Sequence, residues 1–191
     1  MTPSPHAEPR EWRPPDFGVR PATAADVPAL VALVNSAYRG DSSRAGWTTE
    51  ADLLDGVRID EARMASAIAT ADQAVLVHER DGAVVACVHV RREAAGGYLG
   101  MLTTSPTMQG QGLGRRMIAA AEAWAVAQWQ SARMDMTVIA LRTELIGWYE
   151  RRGYASTGLR KPFPYGDERW GVPRRDDLEF VVLRKELARR P

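Results

Sequence analysis

At 191 residues and 21.0 kDa the chain has the length of one domain with a sizeable core. Its 45% hydrophobic and 26% charged residues are ordinary for a globular protein. A net charge of +1 gives no electrostatic case for a nucleic-acid or anionic-membrane partner. The single cysteine, Cys87, excludes an internal disulfide and a cysteine-rich zinc site.

Residues 1–17 carry five prolines and no helical or strand period. They read as an N-terminal arm, mobile or draped over the domain, with Trp12 and Phe17 favouring docking. No apolar leader opens the chain, and no run approaches the roughly 18 apolar residues of a membrane span. A reducing cytoplasm is the expected location. From Gly18 the pattern becomes regular. A short strand (18–20) leads to Thr23-Ala24-Ala25-Asp26, a helix start of capping-box type with Asp in place of Glu. Val27, Leu30, Val31, Val34 and Tyr38 then recur at helical spacing. A loop is expected over 41–46, a short second helix over 49–55, and a third over 60–71 with Met64, Ala67 and Ile68 on one face.

Two strands (74–79 and 83–91) follow, joined across Asp81-Gly82, a strong hairpin signal. Cys87 lies in the second of these apolar runs, where a buried, inert thiol is expected. Gly96-Gly97 is expected to break the chain before a fourth strand (98–104). A long helix comes next, with Met117, Ile118, Ala121, Trp124 and Ala125 on one face. A fifth strand (134–140) and a helix (144–152) follow, the helix stopped by Gly153. Two late strands span 154–157 and 178–183. The order of elements predicts a single-domain mixed α/β fold over 18–187, with 188–191 as a tail.

Between the fourth strand and the long helix lies Gln109-Gly110-Gln111-Gly112-Leu113-Gly114-Arg115. Alternate glycines let the backbone turn tightly and approach a ligand closely. The helix that follows aims free N–H groups and its positive dipole end into the loop, which makes an anion site. Arg115 and Arg116 add positive charge. The spacing separates the phosphate-binding motifs. A dinucleotide G-x-G-x-x-G fails because Gly114 comes one position early, and a nucleotide P-loop fails for want of a lysine. Q-x-x-G-x-G, on Gln109, Gly112 and Gly114, remains.

That pattern resembles the acyl-CoA pyrophosphate loop of the GCN5-related N-acetyltransferases. The order of elements over about 18–187 is also similar to that family. So is the segment Leu145-Ile146-Gly147-Trp148-Tyr149-Glu150-Arg151-Arg152-Gly153-Tyr154, which resembles the family's helical tyrosine facing the coenzyme sulfur. The resemblance implies a mostly antiparallel sheet of about seven strands, splayed at its centre and flanked by helices. It implies acetyl-CoA as co-substrate and a primary amine as acceptor, with direct attack in a ternary complex. Backbone groups of Leu102, Thr103 and Thr104 would hold the pantetheine arm. Gln109, Gly110, Gln111, Gly112, Leu113, Gly114 and Arg115 would cradle the phosphates. Tyr149 would protonate the departing thiolate, a role a phenol within hydrogen-bond reach can fill. No metal is implied.

The sequence departs from the family seven residues before this tyrosine, where an asparagine is common and Arg142 stands here. An arginine there can reach a phosphate, reach an acceptor carboxylate, or face solvent. The general base is not legible. His89, Asp135 and Glu144 are candidates beside water, and His89 has a useful unperturbed pKa near 6.5. Two aromatic loops, Tyr38-Arg39-Gly40 with Trp47-Thr48 and residues 161–170, can shape an acceptor pocket; they serve equally as a cap over the core or a homodimer contact. A small-molecule amine is the expected acceptor. A protein N-terminus or lysine is the alternative within the same chemistry. A non-catalytic acyl-CoA sensor would keep the glycine loop without needing Tyr149.

Overall fold

The computed structural model describes Trp12 and residues 18–188. The rest of the arm expected over 1–17, Phe17 included, and the tail beyond 188 lie outside the described residues. The central sheet is built on period-2 alternation. In β3 (Gln73–Arg80), Ala74 and Leu76 face one layer while Val75 and Val77 face the other. β3 pairs antiparallel with β1 (Val19–Pro21) and, across the Asp81-Gly82 turn, with β4 (Ala83–Glu93). β4 pairs with β5 (Gly96–Thr104). β6 (Arg133–Ile139), β9 (Glu179–Glu186) and β7 (Ala155–Pro162) complete a seven-stranded sheet in the order β1-β3-β4-β5-β6-β9-β7. Only β5 and β6 run parallel, and they pair only at Gly97–Met134 and Tyr98–Asp135 before diverging. This is the splay that the family resemblance implies.

Helices cover both faces. α1 (Val27–Tyr38) and α3 (Glu61–Ala69) bury Leu30, Val34 and Met64 against Val75, Val77 and Cys87. The long α4 (Leu113–Trp129) buries Met117, Ile118 and Ala121 against Leu76, Val88 and Leu99 on the other face. Trp12 stands edge-on to Trp124 of α4, 5.0 Å between centroids. α5 (Thr143–Glu150) follows β6, and Gly153 turns the chain after it with φ +87°. Asp26 accepts from the Thr23 N–H at 2.7 Å, the acidic half of the expected capping box. Burial pushes the Cys87 thiol up to about 12, as expected of an inert core cysteine.

Four local expectations are corrected. Residues 49–55 form no helix: turns lead into β2 (Leu54–Asp55), which pairs with β8 (Val172–Pro173). The first turn of helix falls instead within the expected loop, as α2 (Gly40–Ser43). Gly96 and Gly97 open β5 rather than break it, because a Cβ on Gly96 would meet the Arg133 carbonyl at 2.7 Å. One on Gly97 would meet Met134 Sδ at 3.0 Å and Ala125 at 3.1 Å. Those glycines mark a close approach of β6 and α4. Finally, β7 runs on to Pro162, past an irregularity at Gly158 (φ +76°), while Tyr154 stays outside the strand.

Candidate active site

Two cavities meet where β5 and β6 part. The one beside the glycine loop measures about 580 Å³, the other about 230 Å³. Tyr38, Leu102, Arg142, Leu145 and Tyr149 line both and form the throat between them.

Residues 109–115 all line the larger cavity. Gly110 and Gly112 sit at φ +80°, a conformation natural to glycine, and a Cβ on either would meet nothing within 4 Å. The backbone there is open to a ligand. Gly114 is needed for a different reason: its Cβ would stand 3.2 Å from the Trp148 ring. Arg116 N–H is bonded to the Gly112 carbonyl at 3.1 Å, so the amides of 113–115 have no partner one turn back. Arg152 lies 3.5 Å above the Trp148 ring and donates to its carbonyl at 2.6 Å. Burial, together with the charges of Arg151 and Arg115, pulls the Arg152 pKa down. Among the described residues neither Arg115 nor Arg152 has a carboxylate partner, and the buried Arg152 Nε has no hydrogen bond. Free amides, a helix N-terminus and two uncompensated guanidiniums fit a pyrophosphate.

The two glutamines of the loop are hydrogen-bonded within the protein. Gln109 ties the glycine loop to the 46–48 segment, accepting from Trp47 N–H at 3.0 Å and donating to Thr48 Oγ1 at 2.9 Å. Gln111 accepts from Arg80 at 2.8 Å. Ser105 N–H bonds across to Val85 on β4, so by alternation the backbone of Thr104 faces the gap. Leu102 carbonyl faces the throat, where it accepts from the Tyr38 hydroxyl at 2.8 Å. Thr103 is buried, its hydroxyl on the Met101 carbonyl at 3.0 Å, and lines neither cavity.

Tyr149 occupies the throat from α5. Its ring packs edge-on against Trp148 and Tyr154 at 5.1 and 6.0 Å, and its hydroxyl makes no hydrogen bond among the described residues. Burial pushes its pKa up, so the phenol is protonated at neutral pH. Arg142 does not face solvent. It donates to Glu50 at 3.0 Å and to the Thr48 carbonyl at 2.6 Å, and both ionic side chains are only 10% exposed. Arg39 holds the other Glu50 oxygen at 2.5 Å.

Of the candidate bases, only His89 lines either of these two cavities, the smaller one. Its Nε2 is bonded to Gln73 at 2.7 Å, and burial with Arg91 and Arg58 pulls its pKa down to about 4. Asp135 is held in a double hydrogen bond by Arg184 at 2.7 Å, and Glu144 is exposed in the first turn of α5. Both aromatic loops reach the site: Trp47 and Thr48 line the larger cavity, Phe163 and Trp170 the smaller. Glu50, Arg58 and Arg152 are site residues that the sequence did not single out. Only Arg152 carried a local signal, as a cation three residues after Tyr149.

A seven-stranded sheet opened between two parallel strands, with a glycine loop at the N-terminus of the following helix, defines an acyl-CoA transferase class of architecture. The family model described as Acetyltransferase (GNAT) family matches residues 31–154, and the chain belongs to that family. No curated protein matches significantly. Among solved structures the chain is similar to YncA of Salmonella typhimurium with its cofactor acetyl-CoA. The identity is 20%, with 91% of this chain and 95% of that chain covered and a TM-score of 0.65. It is similar also to the ribosomal-protein-alanine N-acetyltransferase of Brucella melitensis (22%, 88% and 99% covered, TM-score 0.64). The ribosomal-protein-S18-alanine N-acetyltransferase of Escherichia coli is a third (15%, 91% and 95%, 0.64). At these identities the likeness is one of fold.

Proposed function

We propose that the protein transfers the acetyl group of acetyl-CoA to the primary amine of a small molecule, by direct attack with both substrates bound. The observation that carries this reading is the Tyr149 hydroxyl, unpartnered among the described residues, at the junction of two cavities, one of them lined by an open glycine loop at a helix N-terminus. Residues 110–115, Arg115 and Arg152 would hold the diphosphate. The β5 edge at Leu102 and Thr104 would hold the pantetheine arm. Thr103 would contribute its place in the strand and Gln109 the position of the loop. Acetyl-CoA supplies the activated acyl group. The acceptor nitrogen forms a bond to the thioester carbon as the carbon–sulfur bond breaks; the nitrogen loses a proton and the sulfur gains one. Tyr149 keeps its proton until negative charge builds on sulfur, then delivers it and is reprotonated through the cavity. His89, with its pKa held down to about 4, is too weak a base to deprotonate an ammonium, so the acceptor reacts as the free amine, its ammonium proton having been given up to bulk solvent before attack.

A thiol-release screen of the full chain with acetyl-CoA against small amines, amino acids and peptides tests the reading. Turnover with a small amine is expected. Tight acetyl-CoA binding with no turnover by any amine would identify a sensor instead, and turnover confined to peptides would identify a protein acetyltransferase.

A further inference from the structure

The smaller cavity is unbalanced in charge. Four guanidiniums face it, those of Arg39, Arg58, Arg91 and Arg142, and Glu50 is the one carboxylate among its lining residues. Arg39 and Arg142 are both occupied by Glu50. Arg91 pairs with Glu93 at 2.8 Å and lies 3.9 Å over the Tyr98 ring. His89 is uncharged at neutral pH and adds no charge of its own. That leaves Arg58. Its half-buried guanidinium makes no hydrogen bond or ion pair with a described residue; it stands 5.5 Å from the Tyr38 ring and acts only through space on Glu50, which two other arginines already hold. Tyr38 is also the throat residue whose hydroxyl holds the Leu102 carbonyl. An uncompensated cation in a cavity wall repels a second ammonium and attracts an anion, and a guanidinium matches a planar carboxylate with two parallel bonds.

Resting on the acetyltransferase reading, we infer that the acceptor is a small amine that also carries a carboxylate, bound through that group to Arg58 with its amine directed to Tyr149. The cavity, about 230 Å³, is smaller than those that hold drug-sized ligands, which suits an acceptor of amino-acid size. Phe163, Trp170 and Phe180 line it as well, so the wall also offers apolar surface for a side group. Polyamines and other multiply cationic acceptors meet four guanidiniums there and are disfavoured.

The test compares matched acceptors: phenylalanine and methionine, their carboxamides, and diaminobutane. Each is measured twice with the full chain, by thiol release with acetyl-CoA and by calorimetric binding in the presence of coenzyme A. The amino acids should bind and react at least tenfold better than their amides. Arg58→Gln should raise KM for the amino acids by ten- to hundredfold, the range for a lost hydrogen bond to a charged group, and leave the amides unchanged. Arg58→Lys should restore part of the loss. Arg44→Gln, whose partner Asp52 lies outside both cavities, is the control for a surface arginine and should change neither. Amides or the diamine turned over as well as the acids would overturn the inference and leave the acetyltransferase reading standing. Carboxylate-selective binding without transfer would support the inference while overturning the catalytic reading. No binding of any amino acid would overturn the inference.

Discussion

Glu50 Oε1 meets Arg142 Nη1 at 3.0 Å, joining residues 92 apart in the chain at the wall of the throat. Arg39 closes the second oxygen, so one buried carboxylate holds two buried guanidiniums. Removing one member of such a pair leaves uncompensated charge in the interior, at about 3–5 kcal/mol. Glu50→Gln should therefore lower the melting temperature by about 6–20 °C, at about 2–4 °C per kcal/mol for a chain of this length. Burial alone would raise the Glu50 pKa, but Arg142 and Arg39 hold it below the ordinary 4.5. A depressed carboxylate contributes stability above the unfolded value and loses it as pH falls through the folded one. The advantage of the parent over Glu50→Gln should thus be full above about pH 5 and shrink below 4.5, as read by denaturant melts across pH.

His89 adds to the loss of stability on acidification, here because burial disfavours its charged form. Burial first, then Arg91 and Arg58, lowers its folded pKa to about 4 against 6.5. Between these values the unfolded chain binds the extra proton, so stability falls as pH drops from about 6.5 to 4. The buried ring accounts for about 3 kcal/mol of that fall, an order-of-magnitude figure at 1.36 kcal/mol per pH unit. His89→Gln should flatten the stability profile over that window, and the His89 ring resonances should titrate near 4 rather than 6.5.

Gly112 and Gly114 should respond differently. At Gly112 a side chain meets no protein atom but must adopt φ +80°, at about 1–2 kcal/mol. Gly112→Val should cut acetyl-CoA affinity at least tenfold by calorimetry while the protein remains folded. Gly114→Val should instead cost mainly stability, through the Trp148 ring 3.2 Å away. Coenzyme affinity unchanged in Gly112→Val would remove the phosphate cradle from the account.

Gln109→Ala separates loop positioning from phosphate contact. Because both polar atoms of this side chain hold Trp47 and Thr48, the substitution frees the 46–48 segment and with it the Thr48 carbonyl that Arg142 grips. The acceptor KM should rise several-fold while acetyl-CoA affinity stays within about threefold.

The sheet and its covering helices were legible because alternation and helical spacing are local: Ala74 to Val77 announce two buried faces, and Met117, Ile118 and Ala121 a helix stripe. The glycine loop was legible for the same reason. What failed was long-range. Nothing near Gly96 or Gly97 in sequence indicates that Arg133 and Met134 will crowd them, so their need for a missing Cβ read as a break. Glu50 acquires its role only from Arg39 and Arg142, and Arg58 only from facing a cavity whose one lining carboxylate is already paired twice. The pairing of β2 with β8 brings residues 54–55 to 172–173, and no propensity of either segment encodes it.

The most direct measurement of the central claim is the rate of Tyr149→Phe with two acyl donors whose thiols differ in pKa, beside a thermal melt. With Tyr149 as the proton donor, kcat should fall by roughly 10²–10⁴ with acetyl-CoA. The loss should shrink with the donor of lower thiol pKa, and coenzyme affinity and melting temperature should hold. A variant within about threefold of the parent rate, or a loss indifferent to the leaving group and matched by a lowered melting temperature, would contradict it.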